Sequence, residues 1–303
     1  MEFTKRGAAR MRTIAAGADK RILLWKKNLP HILAYGILGV ATLPIILMYL
    51  WLLLSSFAKQ MKYGFIPVHI SLENWSFLWS NVQQAGTTYP SIWLAAWNSL
   101  LFSGSLTMLE VIIGVMAGYA LSRLDFPGRK GLMKMTLLLH AFPSVALLIA
   151  VFYILNFLGL FDSIWGVVLV KTALQIPMTA WIIKGFFDDV QWDVEWAGMI
   201  DGCSRFKVWY SIVIPLIKPG IAAVSIFSFL SGWSEFLLLY SFILSDANVT
   251  LATYLQKLIS DPNQINYGLL SAVSLFYMIP VLVLFIVSQK SLMQVSAGGG
   301  KRV

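Results

Sequence analysis

The stretch DVEWAGMIDGCSRFKVWYSIVIPLIKPG, residues 193–220, decides the fold, because it gathers charge between two long apolar runs. The whole chain is 58% hydrophobic and 12% charged, whereas soluble domains carry about 25% charged residues. Apolar runs of about 20 residues cross the bilayer core, roughly 30 Å thick, as helices. These features predict an integral membrane protein. The ionisable residues of the quoted stretch are Asp193, Glu195, Asp201, Arg205, Lys207 and Lys218.

Uninterrupted apolar length predicts an all-α membrane protein with six transmembrane helices. The first span follows a basic tail, residues 1–29, that holds eight Lys and Arg. A cleavable signal peptide normally has a shorter basic region and a shorter apolar core, so we expect this span to be retained. A loop at 58–93 follows it, and a tail at 289–303 follows the last span. The predicted spans are 30–57, 94–121, 132–157, 163–187, 211–240 and 268–288.

The distribution of basic residues predicts the orientation of these spans. Of the 23 Lys and Arg, 19 fall in the two tails or near the second-to-third and fourth-to-fifth connections. The positive-inside rule therefore predicts that both termini are cytoplasmic, and with them the connection at 188–210. Loops 58–93 and 241–267 are then extracytoplasmic. Because this arrangement accounts for the net charge of +9, we expect the lipid bilayer as a partner and no nucleic acid.

Several kinds of chemistry are not expected from this chain. Cys203 is the single cysteine, so an intrachain disulfide and a C-x-x-C site are excluded. The three histidines are scattered, and no ligand-like spacing predicts a metal site. A G-x-x-x-x-G-K-[ST] phosphate loop is missing from the sequence, so we expect no ATP hydrolysis by the chain itself. No clustered catalytic constellation indicates a membrane enzyme.

Glu110, His140, Lys171 and Glu235 fall within apolar runs, where a charge costs a few kcal/mol and marks a candidate functional site. Glu110 and Lys171 lie deepest, and either pair with each other or line a polar cavity; an interhelical pair or subunit contact is the favoured interpretation. His140 precedes Pro143, so a proline kink with a helper histidine is favoured over a proton relay. Glu235 is expected to reach the membrane interface.

Residues 192–210 have the pattern of two short amphipathic helices, with Gly202 at the bend between them. Such a segment either lies on the membrane surface or docks in a groove of another protein. The local charge is acidic, which anionic lipid repels, so docking is favoured. The apolar stripe, at steps of three and four residues, consists of Trp196, Met199, Ile200, Cys203 and Phe206.

This segment resembles the EAA loop of ABC importer permeases, whose pattern is roughly E-A-A-x-x-D-G-A followed by a Leu-Pro step. Trp196 stands where that family has a glutamate, and Glu195 precedes it by one residue. One residue rotates a side chain by about 100° on a helix. Glu195 is therefore not assigned the family contact, and Trp196 is expected to dock by packing. The positions that match the pattern are Ala197, Gly198, Asp201, Gly202, Cys203 and Pro215.

The resemblance extends to the MalG-type sugar permeases over about residues 30–303. It is carried by NSLLFSGSLTMLEVIIGVMAGYALSRLDFPGRKGL (98–132), IPMTAWIIKGFFDDV (176–190), GWSEFLLLYSFIL (232–244) and SQKSLMQVSAGGGKRV (288–303). It implies a type I ABC importer permease fold. In that fold, residues 94–288 form the ABC transmembrane type-1 domain, and loop 188–210 carries a coupling helix between helices 4 and 5.

The resemblance also implies the function and the partners. The chain would be a permease subunit in the cytoplasmic (inner) membrane of a prokaryote that moves a sugar or oligosaccharide, possibly charged, by alternating access. Its partners would be a homologous second permease, an ATPase dimer that binds ATP and Mg²⁺, and an extracytoplasmic solute-binding protein. The tail at 296–303 either reaches between the ATPase subunits or is solvated.

The alternative is a secondary transporter driven by an ion gradient, with Glu110, Lys171 and His140 as coupling residues. This alternative lacks the support of an inverted repeat in the sequence, and it leaves the segment 192–210 unexplained. For the solute pathway the candidates are Glu110, Lys171, Trp181 and Trp233. The two tryptophans either stack on sugar rings or serve in packing.

Overall fold

A computed structural model describes residues 31, 34–84, 86–140, 143–261 and 265–298. Within these residues, four helices are long and apolar enough to cross a membrane, or five if one bent pair counts as a single span. The helical fold is as predicted, and the number of six spans stays a prediction. Both the basic tail and residues 299–303 lie outside the described residues. The four long helices are α1 (Ala34–Phe57), α2 (Ile92–Arg123), α5 (Ile164–Asp188) and α11 (Tyr267–Gly298).

The predicted third span, 132–157, is not one continuous helix. Helix α3 (Arg129–His140) ends before Pro143, and α4 (Leu148–Phe157) follows a single 3-10 turn. Residues 141–142 between them are not described. Proline removes a backbone donor and restricts the residue before it, which accounts for a break at this point. The proposed helper role of the His140 side chain lies outside what the structure describes.

The predicted fifth span, 211–240, is broken twice. Helix α7 (Arg205–Leu216) contains a π-helical turn and meets α8 (Lys218–Trp233) at an angle of 73°. Pro215 and Pro219 flank the bend at Ile217 and deprive it of backbone donors. A second break at Ser234–Phe236 separates α8 from α9 (Leu237–Phe242). The run reads as continuous in the sequence because long apolar stretches flank both breaks.

Loop 58–93 contains strands, so the all-α prediction is wrong there. Strands β1 (Ala58–Lys62) and β2 (Ile66–Ile70) form an antiparallel hairpin. A second, shorter hairpin pairs β3 (Gln83–Gln84) with β4 (Thr87–Thr88). Backbone pairing satisfies the polar groups of a long connection that has no helical periodicity. The remaining α-helices of the described residues are α6 (Trp192–Ile200) and α10 (Leu251–Leu258).

Helices α2 and α5 pack against each other along most of their length, at the centre of the fold. Gly114 and Gly118 on α2 face Thr179 and Ile183 on α5. A Cβ at Gly118 would lie 2.7 Å from Ile183 Cγ2, and one at Gly114 would overlap Thr179 Cγ2. The sequence GVMAG at 114–118 is therefore a small-xxx-small contact that brings the two backbones close.

Buried apolar clusters lie at both ends of this helix pair. At the end that carries α6, Val115, Ile183 and Phe187 pack with residues of α7. At the end that carries α10, Ile92 packs with Tyr254. These are called the α6 end and the α10 end below. Helix α1, in contrast, is exposed over residues 34–50, and only its C-terminal end, at Ser55 and Ser56, is buried.

Candidate functional site

The α6 end is organised by a buried ion pair between Arg123 and Glu195. Arg123 is the last residue of α2, and Glu195 lies in the middle of α6. Arg123 Nε donates to Glu195 Oε1 at 2.5 Å, and both side chains are 2% exposed. Tyr119 Oη donates to the second carboxylate oxygen at 3.2 Å. Both oxygens of Glu195 are therefore satisfied inside the protein, as a buried charge requires.

Arg123 connects three elements at once. Its Nη2 donates to the carbonyl oxygen of Val190 at 2.6 Å, which fixes the turn between α5 and α6. The guanidinium carbon lies 4.6 Å from the centre of the Trp192 ring, a cation-π contact. Ser122, next to Arg123, donates to Asp188 Oδ1 at 2.6 Å. The end of α2 thus holds both the end of α5 and α6.

Trp196 directly follows Glu195 in α6 and is turned about 100° from it around the helix axis. Its side chain is 53% exposed, and it contacts Trp192 at 6.1 Å between ring centres. Ile200 and Phe206 are also strongly exposed nearby, whereas Met199 and Cys203 of the predicted stripe are partly buried. The exposed members of the predicted stripe are Trp196, Ile200 and Phe206, called the α6 surface below.

The other residues of the segment that resembles the EAA loop shape α6 and do not take part in the ion pair. Gly198 is buried, and a Cβ there would lie 2.8 Å from Ile212 Cδ1, so glycine lets α6 lie close to α7. Gly202 has a φ of +86°, a conformation that ends α6 without strain only for glycine. Ala197, Asp201 and Pro215 are exposed.

A second cluster of polar residues lies between α2, α5 and α8, around Glu110. The carboxylate accepts hydrogen bonds from Thr179 Oγ1 on α5 and from Ser228 Oγ on α8, the latter at 2.5 Å. It is 4% exposed, and no Lys or Arg contacts it within the described residues. Glu110 lines a cavity of about 260 Å³, as do Gln175 and Ser231. Glu110 thus lines a cavity with polar and apolar walls, and its role in a solute pathway stays a prediction.

Lys171 does not pair with Glu110, which was one of the two predicted arrangements. Lys171 Nζ contacts Glu235 Oε2 at 2.5 Å. Glu235 sits in the break between α8 and α9, and its other oxygen accepts the backbone N–H of Leu238 at 3.0 Å. The break brings this carboxylate to α5, where it is buried and paired, and the location of Glu235 relative to the membrane interface stays a prediction. For Lys171, the structure bears out the favoured prediction, which was an interhelical pair.

The two tryptophans of the predicted pathway differ in their surroundings. Trp233 is 4% exposed and stacks against Phe229 and Tyr277, with its Nε1 donating to the Tyr277 carbonyl at 3.1 Å. In this conformation Trp233 is a packing residue and has no free face for a sugar. Trp181 on α5 is exposed but does not line the cavity at Glu110.

At the α10 end, Asp162 ties the loop after α9 to the loop before α5. Its Oδ1 accepts the backbone N–H groups of Leu244 at 2.8 Å and Ser245 at 3.0 Å, and the Ser245 hydroxyl at 3.1 Å. Burial raises the pKa of this carboxyl, but the three hydrogen bonds outweigh that effect and lower the pKa below its ordinary value of 3.8. Asp162 has a φ of +56°, which Asp tolerates better than most residues.

Sequence reasoning missed several of these residues. Arg123 was counted only as a positive charge at the end of a span, and its location beside a loop predicted to be cytoplasmic was the available signal. Nothing in the sequence indicated that Thr179 and Ser228 are functional, because hydroxyl residues are common in membrane spans. Their contact with Glu110 joins three separate helices, and a single sequence does not reveal such a contact. Within the described residues, no group of three or more His, Cys, Asp or Glu is arranged to hold a metal ion.

A family model described as "Binding-protein-dependent transport system inner membrane component" matches residues 110–293. The matched region runs from Glu110 in α2 into α11 and contains α6. The chain is also similar to a solved structure, a bacterial ABC transporter involved in the import of the acidic polysaccharide alginate. The TM-score is 0.73 at 20% identity, over 87% of this chain and 96% of that chain. At this identity the likeness concerns the fold alone.

Three relatives illustrate the similarity in sequence. The maltodextrin transport system permease protein MdxG of Bacillus subtilis is 33% identical over 205 residues, 67% of this chain and 74% of that protein. The sulfoquinovosyl glycerol transport system permease protein SmoH of Agrobacterium fabrum is 32% identical over 73% of this chain and 77% of that protein. The diacetylchitobiose uptake system permease protein NgcG of Streptomyces coelicolor is 28% identical over 91% and 88%.

Proposed function

Since this chain belongs to the family of binding-protein-dependent transport system inner membrane components, we propose that it is the permease subunit of an ATP-driven ABC importer for a sugar or oligosaccharide. The similarity to sugar permeases over two thirds of the chain or more carries this proposal. A solute-binding protein delivers the sugar, and alternating access moves it through the membrane. The names of the relatives include neutral sugars and a sulfonated one, so they leave the charge of the cargo open.

The proposed orientation puts the α6 end in the cytoplasm and the α10 end outside. The excess of Lys and Arg near the α6 end and in the two tails supports this orientation. Loop 58–93, with its hairpins, and loop 241–267, with α10, then face the solute-binding protein. We retain six spans in the proposal, with α3 and α4 together as the third.

The ATPase subunits bind the α6 surface in this proposal. Trp196 and Ile200 expose large apolar side chains on the short helix α6, and Phe206 exposes another at the start of α7. Exposed apolar side chains on a short helix are the pattern of a helix that docks in a groove. An exposed tryptophan at such a position is a typical anchor of an interface. ATP and Mg²⁺ are bound by the ATPase dimer. The α6 surface of this chain moves with the ATPase subunits when the dimer closes.

The buried pair of Arg123 and Glu195 transmits the movement of α6 to the spans. Arg123 ends α2 and also holds the turn at Val190, so α6 cannot rotate without moving α2 and α5. Alternating access is largely rigid-body motion of such packed units. In the proposed solute pathway Glu110 lines the cavity, Trp181 is exposed on α5, and Lys171 and Trp233 hold the helices around it.

Purification of the complex tests this function. The chain, tagged at its C-terminus and extracted in mild detergent, is expected to bring with it a second permease and an ATPase that has a phosphate loop. ATP hydrolysis by that complex is expected to rise when sugar-loaded solute-binding protein is added. A chain that purifies without an ATPase, and transports its solute alone, would contradict the proposal.

A further inference from the structure

The cavity at Glu110 contains a surplus of hydrogen-bond acceptors. Both oxygens of the Glu110 carboxylate act as acceptors, and the two hydroxyls that donate to them keep their own lone pairs. Gln175 donates its Nε2 to Ser231 Oγ at 2.5 Å, while its Oε1 is buried and has no hydrogen-bond partner within the described residues. A buried acceptor without a donor costs free energy, so the site is incomplete as it stands.

The Glu110 carboxyl group also has no basic partner among the described residues that line the cavity, which include no Lys, Arg or His. Lys171 is occupied by Glu235 and does not contact Glu110. An ionisable group at membrane depth that has no counter-charge is expensive, and such groups commonly mark a solute pathway. Phe227, an exposed aromatic side chain, lies at the same cavity and offers an apolar face beside the acceptors.

We propose that Glu110, Gln175, Thr179 and Ser228 form a sugar-binding subsite on this chain that accepts neutral or basic sugars and excludes acidic ones. Hydroxyl and ammonium groups supply the donors that the carboxylate and the Gln175 Oε1 lack. A sugar carboxylate or sulfonate offers only acceptors and brings a second negative charge close to Glu110 in a poorly screened site. This inference rests on the proposed import function and adds the charge class of the cargo.

Thiol protection in the assembled complex measures the subsite without the binding protein. Met178 lines the cavity, and the natural Cys203 is the one cysteine of the chain. In the double variant Met178→Cys and Cys203→Ser, reaction of the new thiol with a small reagent reports occupancy. The probes are the sugar eluted from the copurified solute-binding protein and trigalacturonic acid, an acidic comparator. We expect the eluted sugar to be neutral or basic and to slow the reaction, and trigalacturonic acid to have no effect.

Substitutions within the subsite test the roles of its residues. Glu110→Gln removes the charge, and Thr179→Val removes a hydroxyl while keeping the methyl group that packs on Gly114. Each is expected to raise the half-protecting sugar concentration about tenfold, as loss of a hydrogen bond to a charged group does. The matched controls are Thr172→Val on the same helix and Ser225→Ala on α8, whose hydroxyls bond to backbone carbonyls. Both controls are expected to leave that concentration unchanged.

The outcomes separate this inference from the proposed function. An acidic sugar eluted from the binding protein, or equal protection by trigalacturonic acid, would overturn the charge class. Equal half-protecting concentrations in wild type, Glu110→Gln and Thr179→Val would overturn the subsite, as would a lack of any protection in a complex that imports sugar with ATP. A complex that does not import with ATP would instead overturn the proposed function.

Discussion

Arg123 Nε lies 2.5 Å from Glu195 Oε1, and this contact joins the end of α2 to the middle of α6. Both side chains are almost completely buried, and the same arginine also bonds to the Val190 carbonyl. The neighbouring Trp196 points away from this pair into solvent. These two adjacent residues therefore have separate roles. Glu195 holds α6 in place, and Trp196 is part of the exposed α6 surface.

Loss of Arg123 is expected to destabilise the protein strongly. Arg123→Met leaves the Glu195 carboxylate buried without its counter-charge, which lowers the free energy of unfolding by about 3–5 kcal/mol. The double variant Arg123→Met with Glu195→Gln is expected to recover part of that loss. The midpoint of thermal unfolding in one detergent measures both. Lys59→Met is the control, because Lys59 and Glu73 form an exposed pair at 3.1 Å that contributes little. Equal midpoints for Arg123→Met and Lys59→Met would contradict the role of the buried pair.

Loss of Trp196 is expected to weaken binding of the ATPase and leave the fold intact. Trp196→Ala removes an exposed anchor, so the affinity for the ATPase falls by about tenfold or more, whereas thermal unfolding of the isolated chain stays unchanged. Titration of the detergent-solubilised permease with ATPase measures the affinity. Trp97→Ala, an exposed tryptophan at the α10 end, is the control. The assignment of the α6 surface fails when both variants retain wild-type affinity.

The close contact of α2 and α5 predicts opposite effects for two glycines of α2. Gly114→Ala brings a methyl group into Thr179, and overpacking of this kind costs about 1–3 kcal/mol. Gly104→Ala meets no atom within 4 Å, and alanine is better in a helix than glycine by about 1 kcal/mol. Thermal unfolding is expected to occur lower for the first variant and equal or higher for the second. A lower unfolding midpoint for both variants would show that the close contact of α2 and α5 is not the cause of the destabilisation.

Asp162 predicts a loss of stability in acid. Its pKa is lower in the folded protein than the ordinary 3.8, so its contribution is complete above 3.8 and is lost as the pH falls through the folded value. Asp162→Asn keeps the positive φ and removes this titration. Thermal unfolding measured from about pH 6 to about pH 3 is expected to decline less steeply in the variant. Identical curves would mean that the hydrogen bonds to Leu244 and Ser245 do not depend on the charge.

The long apolar helices were predictable from the sequence, because length and hydropathy alone determine where a chain crosses a bilayer. Helices α2 and α5 lie within two residues of their predicted bounds. The breaks in 132–157 and 211–240 were only indicated by prolines, since a proline in a span either kinks a helix or ends it. The hairpins of 58–93 depend on backbone pairing that carries no periodic apolar signal of its own.

The candidate sites were predictable only in part. The one-residue rotation between Glu195 and Trp196 predicted that they face different ways, but which of them is buried depends on Arg123, which is 72 residues away along the chain. The depth of Glu110 marked it as functional, whereas its hydroxyl partners lie 69 and 118 residues away in sequence. Sequence alone also left open whether Lys171 pairs with Glu110 or with another residue. These contacts arise from helix packing, which a single sequence does not specify.

Uptake by the reconstituted complex tests the central claim most directly. Proteoliposomes that contain the complex, with ATP inside, no ion gradient, and sugar-loaded binding protein outside, are expected to accumulate sugar while they hydrolyse ATP. Omission of ATP, or a phosphate-loop lysine variant of the ATPase, is expected to abolish both. Accumulation that continues without ATP and follows an imposed ion gradient would contradict the assignment of this chain as an ABC importer permease.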